Sequence, residues 1–366
     1  MTNKLKVEYR NRLVGFLILS KDNKILFQYD ETWIKSGFSL NPFKLPLRDT
    51  IFESHSPYFD GLFGVFADSL PDSYGKLIID KYLRTKGIKL DQINVIDKLS
   101  IIGDGGMGAL EYKPSKEIDY DDSVDLDIFH EEVTKLLESK PVKNLELLYK
   151  FAGSSGGTRP KALIKEKNDE FIVKFPSRFD VKNIVDIEYE YTMAAKDCGI
   201  NVPNCEIIQT LSGRRLFKIK RFDRVNGEKI HMISAAALLE FDFRAPSIDY
   251  LDLLKLTLIL TKNDDDVLEM YRRMVFNVIF ENQDDHGKNF SYLYDENIKM
   301  YKLAPAYDLT KSYTYYGEHT TSVNGKGKDI DENDMILVAK KVGIKKEVAK
   351  SIIDKIKSKR NSMSIK

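Results

Sequence analysis

Two carboxylates and an amide carry the densest chemistry in this chain. In Asn282-Gln283-Asp284-Asp285-His286-Gly287-Lys288-Asn289-Phe290-Ser291, Asp284 precedes Asn289 by five positions, and Asp308 follows in Ala304-Pro305-Ala306-Tyr307-Asp308-Leu309-Thr310. A carboxylate so placed can accept the proton of an attacking hydroxyl. An amide carbonyl and a second carboxylate are hard oxygen donors suited to Mg2+. Together these are the parts needed to pass a phosphoryl group from ATP to a hydroxyl. In that scheme Asn289 and Asp308 hold the metal, Lys288 touches a phosphate, His286 braces the loop, and Tyr307 joins the nucleotide contacts. The competing readings are a structural turn rich in Asp and Asn, or a His/Asp site for another metal.

A phosphate site also needs donors that approach closely. Gly153-Ser154-Ser155-Gly156-Gly157-Thr158-Arg159-Pro160-Lys161 supplies them, since glycine lets backbone N–H groups reach phosphate oxygens and hydroxyls add further donors. It is not a Walker A loop, because no Gly-Lys-Ser/Thr end opens a helix. The bland reading is an ordinary flexible turn. Lys174 follows in Phe171-Ile172-Val173-Lys174-Phe175-Pro176, alone among apolar neighbours. A buried ammonium needs anions, which phosphate oxygens and a helix carboxylate would provide. Glu188 is the first choice for that carboxylate and Glu190 the competitor; an edge-strand lysine reaching out to solvent is the plain alternative. Lys220, Arg221 and Phe222 leave the next strand where a hinge would border an adenine.

These residues must be positioned by suitable elements. Leu13–Leu19 and Ile25–Tyr29 read as a hairpin around Lys21-Asp22-Asn23-Lys24. Phe59–Phe66 and Tyr74–Arg84 carry apolar residues at helical spacing, interrupted at Pro71. A helix is expected from Ile128 to about Ser139, with Asp127 as its cap. Two short strands then flank Glu166-Lys167-Asn168-Asp169, and a helix spans about 184–197. Beyond Ser234 the chain reads as mainly helical, with a long helix from Asp264 to Phe280 ending just before the Asp284 motif. A hairpin of Phe290–Tyr294 and Ile298–Leu303 would bring Asp308 back beside Asn289. Gly103-Asp104-Gly105-Gly106-Met107-Gly108 satisfies G-x-G-x-x-G, but no strand–helix context surrounds it, so tight turns explain it better than a dinucleotide site.

The fold class expected is therefore α+β, a two-lobed protein-kinase-like fold with a small β-rich N-terminal lobe and a larger helical C-terminal lobe. Its parts are a β-rich unit over 1–112, an acidic linker over 113–127, the rest of the small lobe over 128–225 and the helical lobe over 226–366. Composition agrees with a globular chain of 366 residues, 42% hydrophobic and 31% charged. Its 57 basic and 56 acidic residues nearly cancel, so no global field attracts nucleic acid. Two cysteines, Cys198 and Cys205, no apolar leader at Met1-Thr2-Asn3-Lys4 and no long apolar run lead to the expectation of a soluble cytoplasmic protein with no membrane contact.

Assembled, these motifs resemble the HipA-family serine/threonine kinases, the toxins of HipBA-type toxin–antitoxin systems. The resemblance covers nearly the whole chain and is most specific at Gly153–Leu163, Phe171–Pro176, Asn282–Ser291 and Leu303–Thr310. Pro57–Leu62, Leu70-Pro71-Asp72-Ser73 and Gly103–Leu110 also fit. It implies an ATP- and Mg2+-dependent protein kinase with Asp284 as proton acceptor, Asn289 and Asp308 on the metal, Lys174 on the phosphates and Glu188 paired with it. It further implies growth arrest through a translation-related protein such as an aminoacyl-tRNA synthetase. The implied partner is a small helix-turn-helix antitoxin, which would make any DNA contact indirect. Relatives autophosphorylate a serine beside the glycine loop; Lys150 stands just ahead of Phe151-Ala152-Gly153 here, which leaves Ser154 or Ser155. Two other functions fit the same residues: a small-molecule phosphotransferase of the aminoglycoside or choline kinase type, and a non-catalytic ATP-binding co-repressor.

Overall fold

Alternation of apolar and polar residues starts the fold. In the computed structural model, which describes residues 3–115, 124–154, 156–177, 180–314 and 316–363, Leu5, Val7 and Tyr9 are buried between outward-facing Lys4, Lys6 and Glu8. The chain divides into two compact units. The first comprises Met1–Val185, Glu206–Ile233 and Ala237–Glu240; the second comprises Asp186–Cys205, Ser234–Ala236 and Phe241–Lys366.

Among the described residues the first unit contains two larger sheets and a two-stranded ribbon of Arg224–Val225 with Glu228–Lys229. Strands β1 (Lys4–Tyr9), β2 (Arg12–Leu19), β3 (Ile25–Tyr29), β4 (Ile51–Glu53) and β5 (Leu110–Lys113) form a sheet of order β4-β3-β2-β1-β5. The β2–β3 hairpin turns where the sequence places it, with Asn23 at φ 59°. The second sheet has the order β6-β7-β9-β8, with β6 (Lys161–Glu166), β7 (Asp169–Lys174), β8 (Cys205–Gln209) and β9 (Arg215–Lys220). Lys167, at φ 56°, makes the β6–β7 turn. Helices Ser73–Thr85, Leu126–Leu137 and Leu145–Ala152 supply Tyr74, Ile78, Phe129, Val133 and Leu148 to one core with Val173 and Phe175. Tyr82 stacks on Tyr149 with ring centroids 4.1 Å apart, adding to the burial that drives this packing.

Three expectations are corrected here. Phe59–Phe66 is not one helix: Asp60 and Gly61 have φ of 54° and 78°, which end any helical course, and only Gly64–Ala67 is helical. Asp127 is not the cap of its helix; Asp125 is, accepting the N–H groups of Asp127 and Ile128. Asp127 lies in the first turn and its carboxylate accepts from Thr210 Oγ1 at 2.6 Å and Ser212 N at 3.0 Å. The hairpin strands near the Asp284 motif are Ser291–Asp295 and Met300–Leu303, a shift that puts Ile298 in the turn. The acidic stretch expected to part the lobes lies largely outside the described residues.

The glycine-rich run 103–108 is a turn, as its context implies. Arg224 Nη1 donates to the Gly108 carbonyl at 2.7 Å and Nη2 to the Gly106 carbonyl at 3.1 Å, while Asp223 accepts the Gly108 N–H at 2.8 Å. Burial pushes the Asp223 carboxyl up, but the guanidinium groups of Arg221 and Arg224 outweigh that and hold it well below the usual carboxylate range.

The second unit is mainly helical. Helix Tyr250–Thr261 starts at a reciprocal capping box of Asp249 and Asp252, and helix Asp264–Ile279 is capped by Asn263. Asp264, Asp265 and Asp266 crowd its first turn, where negative charge meets the positive end of the helix dipole. Helices Glu332–Lys341 and Lys346–Ser362 close the unit. Cys198 and Cys205 are both free thiols. Among the described residues no helix is long and apolar enough to cross a membrane.

Candidate active site

In the second unit, helix Asp264–Ile279 delivers the chain to the Asp284 motif. Phe280 closes the helix with an N–H to the Phe276 carbonyl at 2.8 Å, and Glu281, at φ 56°, turns the backbone away. Asp284 is then exposed, whereas its neighbour Asp285 is almost fully buried. Asn289 Nδ2 donates to the Asp284 carbonyl at 2.8 Å. That bond explains the five-residue spacing: the amide nitrogen closes the loop, so the oxygen of the same amide is turned the other way. Gly287 is required by close approach, since a Cβ there would lie 2.2 Å from the Phe241 ring. His286 sits edge-on to Phe243, with its Nε2 3.8 Å from Asp284 Oδ1. Lys288 Nζ lies over the same Phe243 ring at 4.7 Å.

Asp308 reaches this loop through the hairpin. Tyr292 pairs with Leu303, and the Ala304 N–H donates to the Ser291 carbonyl at 2.9 Å. The Tyr307 hydroxyl donates to the Lys288 carbonyl and meets Ser291 Oγ, so it fastens its segment to the start of the strand. Asp308 follows in the left-handed region at φ 52°, a conformation Asp tolerates better than most residues. Ser312 then returns to the loop: its N–H donates to the Glu281 carbonyl and its carbonyl accepts from Gln283 N, both at 3.2 Å. Asp308 therefore lies on a segment held on one side by Tyr307 and on the other by Ser312.

Behind the exposed loop runs a buried hydrogen-bond chain that sequence reasoning missed. Asp285 accepts from Tyr250 Oη at 2.8 Å, His319 Nδ1 at 2.9 Å and Thr321 N at 3.1 Å. Asn277 Nδ2 donates to Tyr250 Oη at 2.8 Å, and Asn282 Nδ2 donates to Asn277 Oδ1 at 3.1 Å. Ser312 Oγ donates to Asn282 Oδ1 at 2.9 Å and accepts the Asp284 N–H at 3.0 Å. The only sequence signal was the doubled aspartate itself, because Tyr250, Ser312 and His319 are far from it along the chain.

In the first unit, Gly153 is the C-cap of helix Leu145–Ala152, and its N–H donates to the Tyr149 carbonyl at 3.0 Å. Ser154, Gly156, Thr158 and Arg159 form the turn that follows, with Arg159 Nη2 3.5 Å from Asp180 Oδ1; Ser155 lies outside the described residues. Lys161 and Lys174 are register partners on β6 and β7, and both are buried. Directly opposite residues of an antiparallel pair share one face of the sheet. Two positive charges are thus concentrated beside the glycine turn. Lys174 Nζ also lies 5.8 Å from the Phe217 ring.

The three hinge candidates part ways. Lys220 pairs with Asp169 at 2.6 Å, and Phe222 is half-buried. Arg221 is buried and its guanidinium serves the fold, bound to Asp223 Oδ2 at 2.8 Å and Glu170 Oε2 at 3.2 Å. Glu188, in the second unit, is buried on helix Ile184–Asp197, whereas Glu190 is exposed; burial favours Glu188 as the carboxylate with a structural or catalytic use.

Among the described residues no group of three or more His, Cys, Asp and Glu side chains could hold a metal. The Asn289 and Asp308 pair has the donor chemistry for Mg2+ nonetheless: hard oxygens, with the amide nitrogen already engaged.

Comparison with known proteins gives these residues a family context. Residues 153–363 match the HipA-like C-terminal domain and residues 5–113 match the HipA N-terminal domain. Y4dM, a candidate kinase of Sinorhizobium fredii, is 29% identical over 169 residues, covering 42% of this chain and only 40% of that protein. Y4mE, a second candidate kinase of the same organism, is 23% identical over 354 residues, or 85% of this chain and 78% of the relative. The HipA structure from the Shewanella oneidensis MR-1 complex of HipA, HipB and operator DNA shares the fold, with a TM-score of 0.74 at 18% identity over 97% of this chain and 88% of that one. With a matching domain spanning more than half of its length, the chain belongs to the HipA family.

Proposed function

We propose that this chain is an ATP-dependent serine/threonine protein kinase with a two-lobed, kinase-like arrangement. The observation that carries the reading is the loop geometry of the second unit. Asp284 is exposed, its carbonyl is tied to Asn289, and Tyr307 binds the Asp308 segment to the same loop. Asp284 orients an acceptor hydroxyl and takes its proton as the oxygen attacks the terminal phosphorus of ATP, whose bond to the bridging oxygen breaks so that ADP leaves. Asn289 and Asp308 would hold Mg2+, which neutralises charge on the phosphates when bound. Lys161 and Lys174 attract the phosphates from their shared sheet face, and Lys288 touches a phosphate from the Asp284 loop.

Family membership supports a role as the toxin of a toxin–antitoxin system, neutralised by a helix-turn-helix partner and arresting growth through a translation-related protein such as an aminoacyl-tRNA synthetase. Ser154 and Ser155 are the serines of the glycine-rich sequence, and peptide mapping after incubation with Mg-ATP should find autophosphorylation there. The central test is Asp284→Gln. Phosphate transfer and growth arrest should fall by a factor of about 100 or more, while ATP binding and the unfolding midpoint stay near those of the unsubstituted chain. Transfer persisting at full rate would remove Asp284 from this role. Transfer to aminoglycosides or choline, with none to protein, would replace the protein-kinase reading.

A further inference from the structure

Asp72 occupies the N-cap of helix Ser73–Thr85, and its carbonyl accepts the Lys76 N–H at 2.9 Å. Aspartate is favoured at that position because its carboxylate can take a first-turn N–H. Here the carboxylate makes no such bond. Asp72 Oδ2 instead accepts the N–H of Gly157 at 2.8 Å, across 85 residues of chain. The Gly157 carbonyl in turn accepts the Tyr74 N–H at 3.4 Å. The start of one helix thus holds both polar backbone groups of a single glycine. Gly157 has φ 81°, a region glycine enters without penalty, and a Cβ there would lie 2.5 Å from Lys161 Nζ. Lys161 Nζ completes the arrangement by donating to the Gly156 carbonyl.

We propose that Asp72 is a positioning residue for nucleotide binding: with the Tyr74 N–H it clamps the glycine-rich turn in the shape that receives phosphates. The proposal rests on the reading of residues 153–161 as the phosphate loop. A free turn must be ordered when the nucleotide arrives, and each backbone residue so fixed costs conformational entropy. A carboxylate-to-amide bond orders Gly157 in advance and is among the stronger hydrogen bonds available. The carboxylate charge alone would oppose a triphosphate. Geometry and charge therefore act in opposite directions at Asp72, and an asparagine separates them, because its amide oxygen accepts the same N–H without the charge.

The test uses the full chain, with Mg-ATP kinetics, calorimetric binding of ATP and of adenosine, and an unfolding midpoint for each variant. Asp72→Ala should raise the KM for ATP about tenfold, with kcat within about twofold and adenosine affinity unchanged. Asp72→Asn should restore the KM to within about threefold of the parent. ATP bound as tightly or more tightly by Asp72→Ala would overturn the clamp, as would an equal loss for ATP and adenosine. Should Asp72→Ala fail to fold, a tenfold rise in KM for Asp72→Asn would overturn it as well. Hydrogen exchange at residues 154–158 in the parent chain separates the underlying reading: no slowing by Mg-ATP would refute the phosphate loop itself, whatever the Asp72 variants do.

Discussion

Ser312 and Asp284 are joined through a single hydroxyl, which accepts the Asp284 N–H at 3.0 Å and donates to Asn282 Oδ1 at 2.9 Å. The segment that carries Asp308 therefore also sets the backbone from which the Asp284 carboxylate projects. If Asp284 is the base proposed above, its distance to the acceptor hydroxyl matters steeply, and a displacement of about 1 Å is enough to slow transfer substantially.

Ser312→Ala should lower kcat for phosphate transfer about tenfold or more while the KM for ATP changes by less than about twofold. Ser312→Thr keeps the hydroxyl and should recover most of the rate. Steady-state kinetics on the three chains checks this. A loss shared equally by Ala and Thr would show that the hydroxyl is not what positions Asp284.

Asp285 is a matter of stability first. Its carboxylate satisfies Tyr250, His319 and the Thr321 N–H within a buried region. Asp285→Ala strands those donors without solvent and should cost about 3 kcal/mol, read as a lower urea midpoint with an unchanged slope. Asp285→Asn keeps one acceptor oxygen and should lie between the two.

Acid should weaken the first unit through His231. Burial lowers its pKa from 6.5 to about 4, opposed only by the hydrogen bond from Nε2 to the Leu40 carbonyl at 3.1 Å. The folded state holds a neutral imidazole, so between pH 6.5 and about 4 the unfolded chain binds the additional proton. Its contribution is complete above pH 6.5 and is lost as pH falls towards 4, a change of about 3 kcal/mol. Urea unfolding across that window should show the slope, and His231→Leu should reduce it. His130, which burial likewise lowers to about 4, contributes a slope of the same sign.

The chain itself determined most of its elements and nominated the residues of the candidate site. Local pattern was sufficient for the β2–β3 hairpin, for β6 and β7, and for helices Ile184–Asp197 and Asp264–Ile279, because periodicity and turn residues act over a few positions. It was insufficient at Phe59–Leu62, where two left-handed residues override an apolar spacing, and at Asp127, whose carboxylate is claimed by Thr210 and Ser212 from a distant turn. The spacing of Asp284 and Asn289 was legible as a candidate site; that the amide nitrogen closes the loop was not. Only tertiary structure brought Tyr250, Ser312 and His319 to the doubled aspartate and Asp72 to Gly157. Hydrogen bonds between residues separated by tens of positions leave no periodic trace in a sequence, since each partner satisfies its local element without the other.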